Sequence, residues 1–128
     1  MNKYIITLLA VVAFTFNTTA QSKITKTSIE VDGLCGMCKD RIENAAYLPG
    51  VKQVNWDKET HMLDLVFRND KVSKEDIIAS INKAGHDVKD ALASDEQYAN
   101  LHSCCKYRDG DIRASHGLGA AMCTEEKK

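Results

Sequence analysis

Between Lys23 and Val88 the apolar residues change period four times, and each change falls at a turn signal. "KITKTSIEV" puts Thr27, Ile29 and Val31 on one face at a period of two, which predicts a first strand. "DGL" breaks it before Cys35. From Met37 to Leu48 the apolar positions Cys38, Ile42, Ala45 and Ala46 recur at helical spacing until Pro49-Gly50 stops them. This helix carries Cys38 toward the core from its first turn and leaves Cys35 in the loop. "VKQVNW", with Val54 and Trp56 on one face, and "HMLDLVF", with Leu63, Leu65 and Phe67 inward, form a hairpin about the turn "DKET". Ser73 caps "KEDIIASINKA", with Asp76 in the capping-box position. Ile77, Ile81 and Ala84 make the stripe of this second helix, and Gly85 ends it. "HDVKDAL" is compatible with a last short strand around Val88.

The order strand, helix, strand, strand, helix, strand, joined by short connections, predicts an α+β fold. Two helices on one face of a four-stranded antiparallel sheet is the ferredoxin-like βαββαβ sandwich. Beyond residue 92 the character changes. Ser94 to Leu101 reads as one or two helical turns, capped by Ser94 with Gln97 in the box position, and leads into "HSCCKY". "RDGDIRASHGLGAAMCTEEKK" is rich in Gly, Ala and charge without a period, and reads as a mobile tail. No internal repeat is visible.

At the other end, Lys3 precedes an apolar run from Tyr4 to Phe16 and a small-residue exit ending at Ala20. That pattern is a secretory signal cut before Gln21, and the run is short for a spanning helix, the competing reading being an uncleaved anchor. The expected organisation is a signal peptide over 1–20, a domain over 21–92, and a C-terminal Cys-containing extension over 93–128. The expected location is exported, periplasmic or secreted, with no membrane attachment after cleavage. The 17 basic and 18 acidic residues nearly cancel, so nothing suggests electrostatic binding to nucleic acid or anionic lipid. Five cysteines in an exported chain of 128 residues are many, and five is odd. One is therefore free, intermolecular or ligated, and Cys123 in the tail is the candidate.

Cys35-Gly36-Met37-Cys38 brings two sulfurs together where a loop enters a helix. The helix N-terminus, with Lys39 and Arg41 nearby, favours thiolate over thiol. Two soft thiolates suit a soft ion such as Cu(I), and zinc is also accommodated. Cys104-Cys105 is a vicinal pair, which strains a disulfide with itself, so each sulfur seeks a partner elsewhere. The four thiols can make a tetrathiolate zinc site, supply added ligands to copper, or pair as disulfides. A return of Ser94–Tyr107 over the CxxC end, anchored by Tyr98 and Leu101, is long enough to bring Cys104 or Cys105 to the loop. Blander readings stand beside these. Cys38 can be a core residue, His61 a solvated edge residue, and Met62 and Met122 packing or tail. His102 and His116 are expected in solvent, and His86 is either a group beside the clamp that modulates it or a bystander.

Residues 24 to 90 resemble the heavy-metal-associated domain of copper chaperones, P-type ATPase N-terminal domains and periplasmic mercury-binding proteins. The matching features are "TSIEVDG", the CxxC followed by a helix, "GVKQVNWDKETHMLDLVF" and "IIASINKAGHDV". The resemblance implies a ferredoxin-like fold in which Cys35 and Cys38 bind one soft ion, Cu(I) first, with Zn(II) or Hg(II) as the other candidates. It also implies transfer by ligand exchange to a membrane metal transporter or another metal-binding domain. Two features depart from the family. Gly33-Leu34-Cys35 puts Leu34 where the family buries a methionine, while Met37 lies between the cysteines. His86 stands where many bacterial members have an aromatic.

The leading expectation is an exported soft-metal-binding protein, a copper chaperone or scavenger, and not an enzyme: the pattern suggests no paired carboxylates and no nucleophile–base pair. The alternative is a thiol-disulfide exchange protein using Cys35 and Cys38. Against it stand the missing tryptophan before the motif, the absence of a proline after Pro49, and an element order without a parallel strand-helix-strand core. A structural zinc module is third.

Overall fold

The computed structural model describes residues 23–117; the expected signal peptide, Met122 and Cys123 lie outside the described residues. Strands β1 (Ile24–Glu30), β2 (Val51–Trp56) and β3 (Met62–Arg68) form an antiparallel sheet in the order β1-β3-β2. Helices α1 (Gly36–Ala46) and α2 (Lys74–Lys83) fall after β1 and β3. Three short elements follow: α3 (Asp95–Ala99), a 3-10 turn (Ser103–Cys105) and α4 (Gly110–Ser115).

The inner sheet face contributes Ile29, Leu63, Leu65 and Phe67 to one core, which Cys38, Ile42 and Ala46 of α1 and Ile77 and Ile81 of α2 complete. Each large aliphatic buried here contributes about 1.5–3 kcal/mol. Ser80 Oγ donates to the Ala45 carbonyl at 2.7 Å and ties the two helices together. The capping box of α2 is closed: Ser73 Oγ accepts from Asp76 N, and Asp76 Oδ2 accepts from Ser73 N.

Val51 and Trp56 are both buried although five positions apart, which an unbroken period of two forbids. A bulge between Val51 and Gln53 inserts the extra residue that turns both inward. The expected fourth strand is not formed. Around Val88 the chain makes only isolated bridges to Val31 and Ala91, with Asp32 N bonded to Asp87 O and Lys89 N to Glu30 O. Asp90, at φ 70°, reverses the chain before a ladder can extend. The sheet is therefore three-stranded, with a one-residue remnant of the fourth strand beside β1.

The expected mobile tail also needs correction over its first part. Residues 110–115 are helical, Asp109 caps them by accepting from Asp111 N and Ile112 N, and Arg113 is buried. The extension is thus docked on the domain. It packs tightly on the turn after α2 at Gly85, where φ is +100° and an added Cβ would meet Gln97 O at 2.8 Å and Leu101 side-chain carbons at 3.0 Å. Gly85→Ala combines a left-handed backbone with that clash and is expected to destabilise the chain by about 2 kcal/mol or more. The check is the urea midpoint under reducing conditions; a midpoint equal to the parent's would contradict this account of the turn.

Candidate metal centre

The loop from β1 into α1 is held from beneath. Asp32 is fully buried, and its carboxylate accepts from Gly33 N at 3.0 Å. Gly33 has no room for a side chain, since a Cβ would stand 3.0 Å from the Trp56 ring and 3.1 Å from Cys38 Cβ. Trp56 is fixed in turn by its indole N–H donating to Val31 O at 3.0 Å. Leu34 is buried under the loop, the place expected for it, while Met37 is 49% exposed on the first turn of α1. Cys35 is the N-cap of α1 with an extended backbone and makes no side-chain capping bond to it.

Three sulfurs meet at this loop. The ligand atoms of Cys35, Cys38 and Cys105 all lie within 4.8 Å of one another, with Cys35 and Cys38 Sγ 4.0 Å apart. Cys35 is partly exposed, whereas Cys38 and Cys105 are buried. Cys105 arrives because Ser94 starts α3 with a capping box, Leu101 is buried, and the 3-10 turn swings the vicinal pair over the loop. The pair divides its labour: Cys105 joins Cys35 and Cys38, and Cys104 Sγ turns to Met37 Sδ at 3.5 Å. All four described cysteines are unbridged.

The thiols differ in acidity. Burial pushes the Cys35 thiol up, but backbone N–H groups of Cys38 and Met37 and the thiols of Cys38 and Cys105 outweigh it, so its pKa is lowered. Burial dominates at Cys38 and raises its pKa, and burial together with the adjoining sulfurs raises that of Cys105 strongly. Of the three thiols, only Cys35 is shifted toward the thiolate. That lowering comes from helix N-terminal amides and the neighbouring thiols rather than from the cations expected from sequence. Lys39 Nζ bonds Glu43, Asn55 and the Trp56 carbonyl, and Arg41 Nε bonds the Ala84 carbonyl.

Five residues that sequence reasoning missed hold the extension over the sulfurs. Arg108 grips Asp87 with two bonds of 2.7 and 2.9 Å and also donates to Ala93 O. Arg113 Nη1 donates to Asp32 Oδ1 at 2.8 Å. The fully buried Tyr107 donates through its hydroxyl to Gly85 O at 2.7 Å and accepts from Asp87 N at 2.8 Å. The sequence signal that could have found them is Asp109-Gly110, a cap at the start of an amphipathic turn. His61 is also misplaced by the sequence reading. Its side chain is only 12% exposed, stacks on Trp56 and lies 3.5 Å from Asp32 Oδ1. His102 and His116 are exposed, as expected.

His86 is buried and is not one of the three clustered ligands. Its Nδ1 lies 2.9 Å from the Asp32 carbonyl, which can only accept, so Nδ1 carries the proton; the ring stacks on Tyr107. Burial pushes its pKa down to about 4, with Arg41 adding repulsion and the Asp32 bond opposing. Its charge change therefore falls well below the neutral range in which a free imidazole titrates. A lowered folded-state pKa means the unfolded chain binds the proton first as pH falls below about 6.5. Stability is then fully present above 6.5 and is lost progressively toward pH 4, by about 2–3 kcal/mol between pH 7.5 and 4.5. Urea unfolding across that range should show this slope in the parent and a shallower one in His86→Phe, whatever the variant's absolute stability; equal slopes would reject the assignment.

No protein-family model matches the chain, and no curated protein matches it. Solved structures similar to it include the CopZ metallochaperone, at 26% identity and TM-score 0.48, covering 50% of this chain and 98% of that one. Oxidized MerP from Ralstonia metallidurans CH34 is 22% identical with TM-score 0.48, covering 51% of this chain and 93% of its own. A copper binding domain from a P-type ATPase is 29% identical with TM-score 0.47, covering 49% and 88% respectively.

Proposed function

We propose that the chain is an exported carrier of a soft metal ion, with Cu(I) the preferred cargo, that uses Cys35, Cys38 and Cys105 as its ligands. The observation that carries this is the convergence of three Sγ atoms from two distant segments into one group. Soft thiolates select soft ions. Three of them suit a d10 ion of low coordination number, Cu(I) or Hg(II), better than Zn(II), whose structural sites are four-coordinate.

The unequal exposure of the ligands supports a carrier. Cys35 is the partly exposed sulfur of the three and the one whose pKa is lowered, so an incoming ion meets it first, beside an open depression lined by Leu34, Gly36, Lys58, Glu59 and His116. Each thiol gives up its proton to water as its sulfur bonds the ion. Departure runs in reverse: a thiolate of a membrane metal transporter or of another metal-binding domain enters on the Cys35 side and displaces the buried sulfurs one at a time. The ion leaves chemically unchanged, so the chain acts as a carrier and not as a catalyst.

Chelator competition under reducing conditions tests the reading. Cys35→Ser with Cys38→Ser is expected to abolish stoichiometric Cu(I) binding, and Cys105→Ser to weaken it at least about tenfold, near 1.4 kcal/mol. X-ray absorption should count three sulfurs on the ion in the parent and two in Cys105→Ser. Undiminished affinity in the double variant would overturn the proposal. Turnover of a disulfide substrate without stoichiometric Cu(I) would assign Cys35 and Cys38 to thiol-disulfide exchange instead.

A further inference from the structure

Two more sulfurs stand beside the three-thiol group without belonging to it. Met37, on the first turn of α1, is 49% exposed, and Cys104, in the 3-10 turn, is partly exposed. Their Sδ and Sγ atoms are 3.5 Å apart, a contact between residues 67 positions apart in the chain. Cys104 Sγ is also 3.9 Å from Cys105 Sγ. The sulfurs therefore form one contiguous run, Met37, Cys104, Cys105, Cys38 and Cys35, in which the buried Cys105 and Cys38 lie between partly exposed ends.

An exposed methionine on a helix surface gains little by packing. A thioether offers something else, a neutral soft donor that needs no deprotonation and has small affinity for hard or borderline ions. Paired with a thiol, it suits a soft monovalent ion: the ion bonds Met37 Sδ and Cys104 Sγ, and the thiol proton leaves to water. We infer that Met37 and Cys104 form a second soft-ion site at the mouth of the first, with Cys105 Sγ as the sulfur both sites reach. This rests on the carrier reading, and it adds a place for an ion to wait while another occupies the inner three sulfurs. It also gives the vicinal cysteines separate tasks, the inner one completing the first site and the outer one the second. An ion can then pass inward by exchanging Cys104 for Cys105, one sulfur at a time, without being released to solvent.

Ag(I), a redox-inert soft monovalent ion, is the probe. The full chain carrying Cys123→Ser, which keeps the tail thiol out of the count, is titrated under reducing conditions against a competing chelator. Stoichiometry is read by native mass spectrometry, and the Met37 methyl resonance by NMR. The inference expects two equivalents, with the Met37 resonance moving only with the second. Adding Met37→Leu and Cys104→Ser should leave one equivalent, bound within about threefold of the parent's first. A parent that takes one equivalent, or a second equivalent that survives both substitutions, overturns the inference and leaves the carrier reading standing. No stoichiometric binding at all would overturn both.

Discussion

A buried carboxylate, Asp32, is the joint on which the sulfur-bearing end of the molecule depends. Its backbone N–H bonds Asp87 O, its carbonyl accepts from His86, and its side chain accepts from Gly33 N and from Arg113. These four bonds reach the remnant of the fourth strand, the turn after α2, the loop that carries Cys35 and the last helix of the extension. A buried Arg–carboxylate pair is weak evidence of net stability, because desolvation offsets much of the attraction. Its effect is on specificity: leaving either charge unpaired costs about 3–5 kcal/mol, so arrangements that undock α4 are disfavoured. Arg108 on Asp87 repeats the device at the extension's near end. Two arginines, one just before α4 and one within it, thus fix where the vicinal cysteines arrive.

The same arrangement explains why the three thiols are chemically unequal. Cys35 sits at the N-terminus of α1, where the backbone N–H groups of Cys38 and Met37 favour its anion, while Cys38 and Cys105 face a core that contains Ile42 and Tyr107. A site built wholly from the loop would expose both sulfurs to the surroundings. A site built wholly from the core would have no entry. Combining a loop sulfur with two covered ones leaves the group reachable at its partly exposed edge and closed toward the core.

Periodicity made the strands, the two long helices and the placement of Cys38 legible, since each is a local pattern whose apolar face must be buried; the placement of Leu34 came from the family resemblance. The return of Cys105 was legible only as a length argument joined to the chemistry of a vicinal pair. The tail was misread because its burial comes from Tyr107, Arg108 and Arg113, and paired charges look in sequence like solvated ones. The fourth strand was over-read because Asp90 at positive φ ends it, and an aspartate does not announce a left-handed backbone as a glycine does. His61 and His86 were ambiguous for a related reason: both sit on Asp32, far away in the chain, and His61 is also covered by Trp56.

Cys38 and Cys105 belong to segments that have no covalent link except the whole length of chain between them, yet their sulfurs share one group. Any ion bonded to both acts as a removable cross-link around a long loop, and closing such a loop restricts the unfolded chain much as a disulfide does. Linkage makes the relation reciprocal: whatever loosens the extension weakens the grip on the ion by the same free energy. The docking of Tyr107, Arg108 and Arg113 is then a tension setting, and a recipient that pulls on the extension could lighten the hold without touching a sulfur.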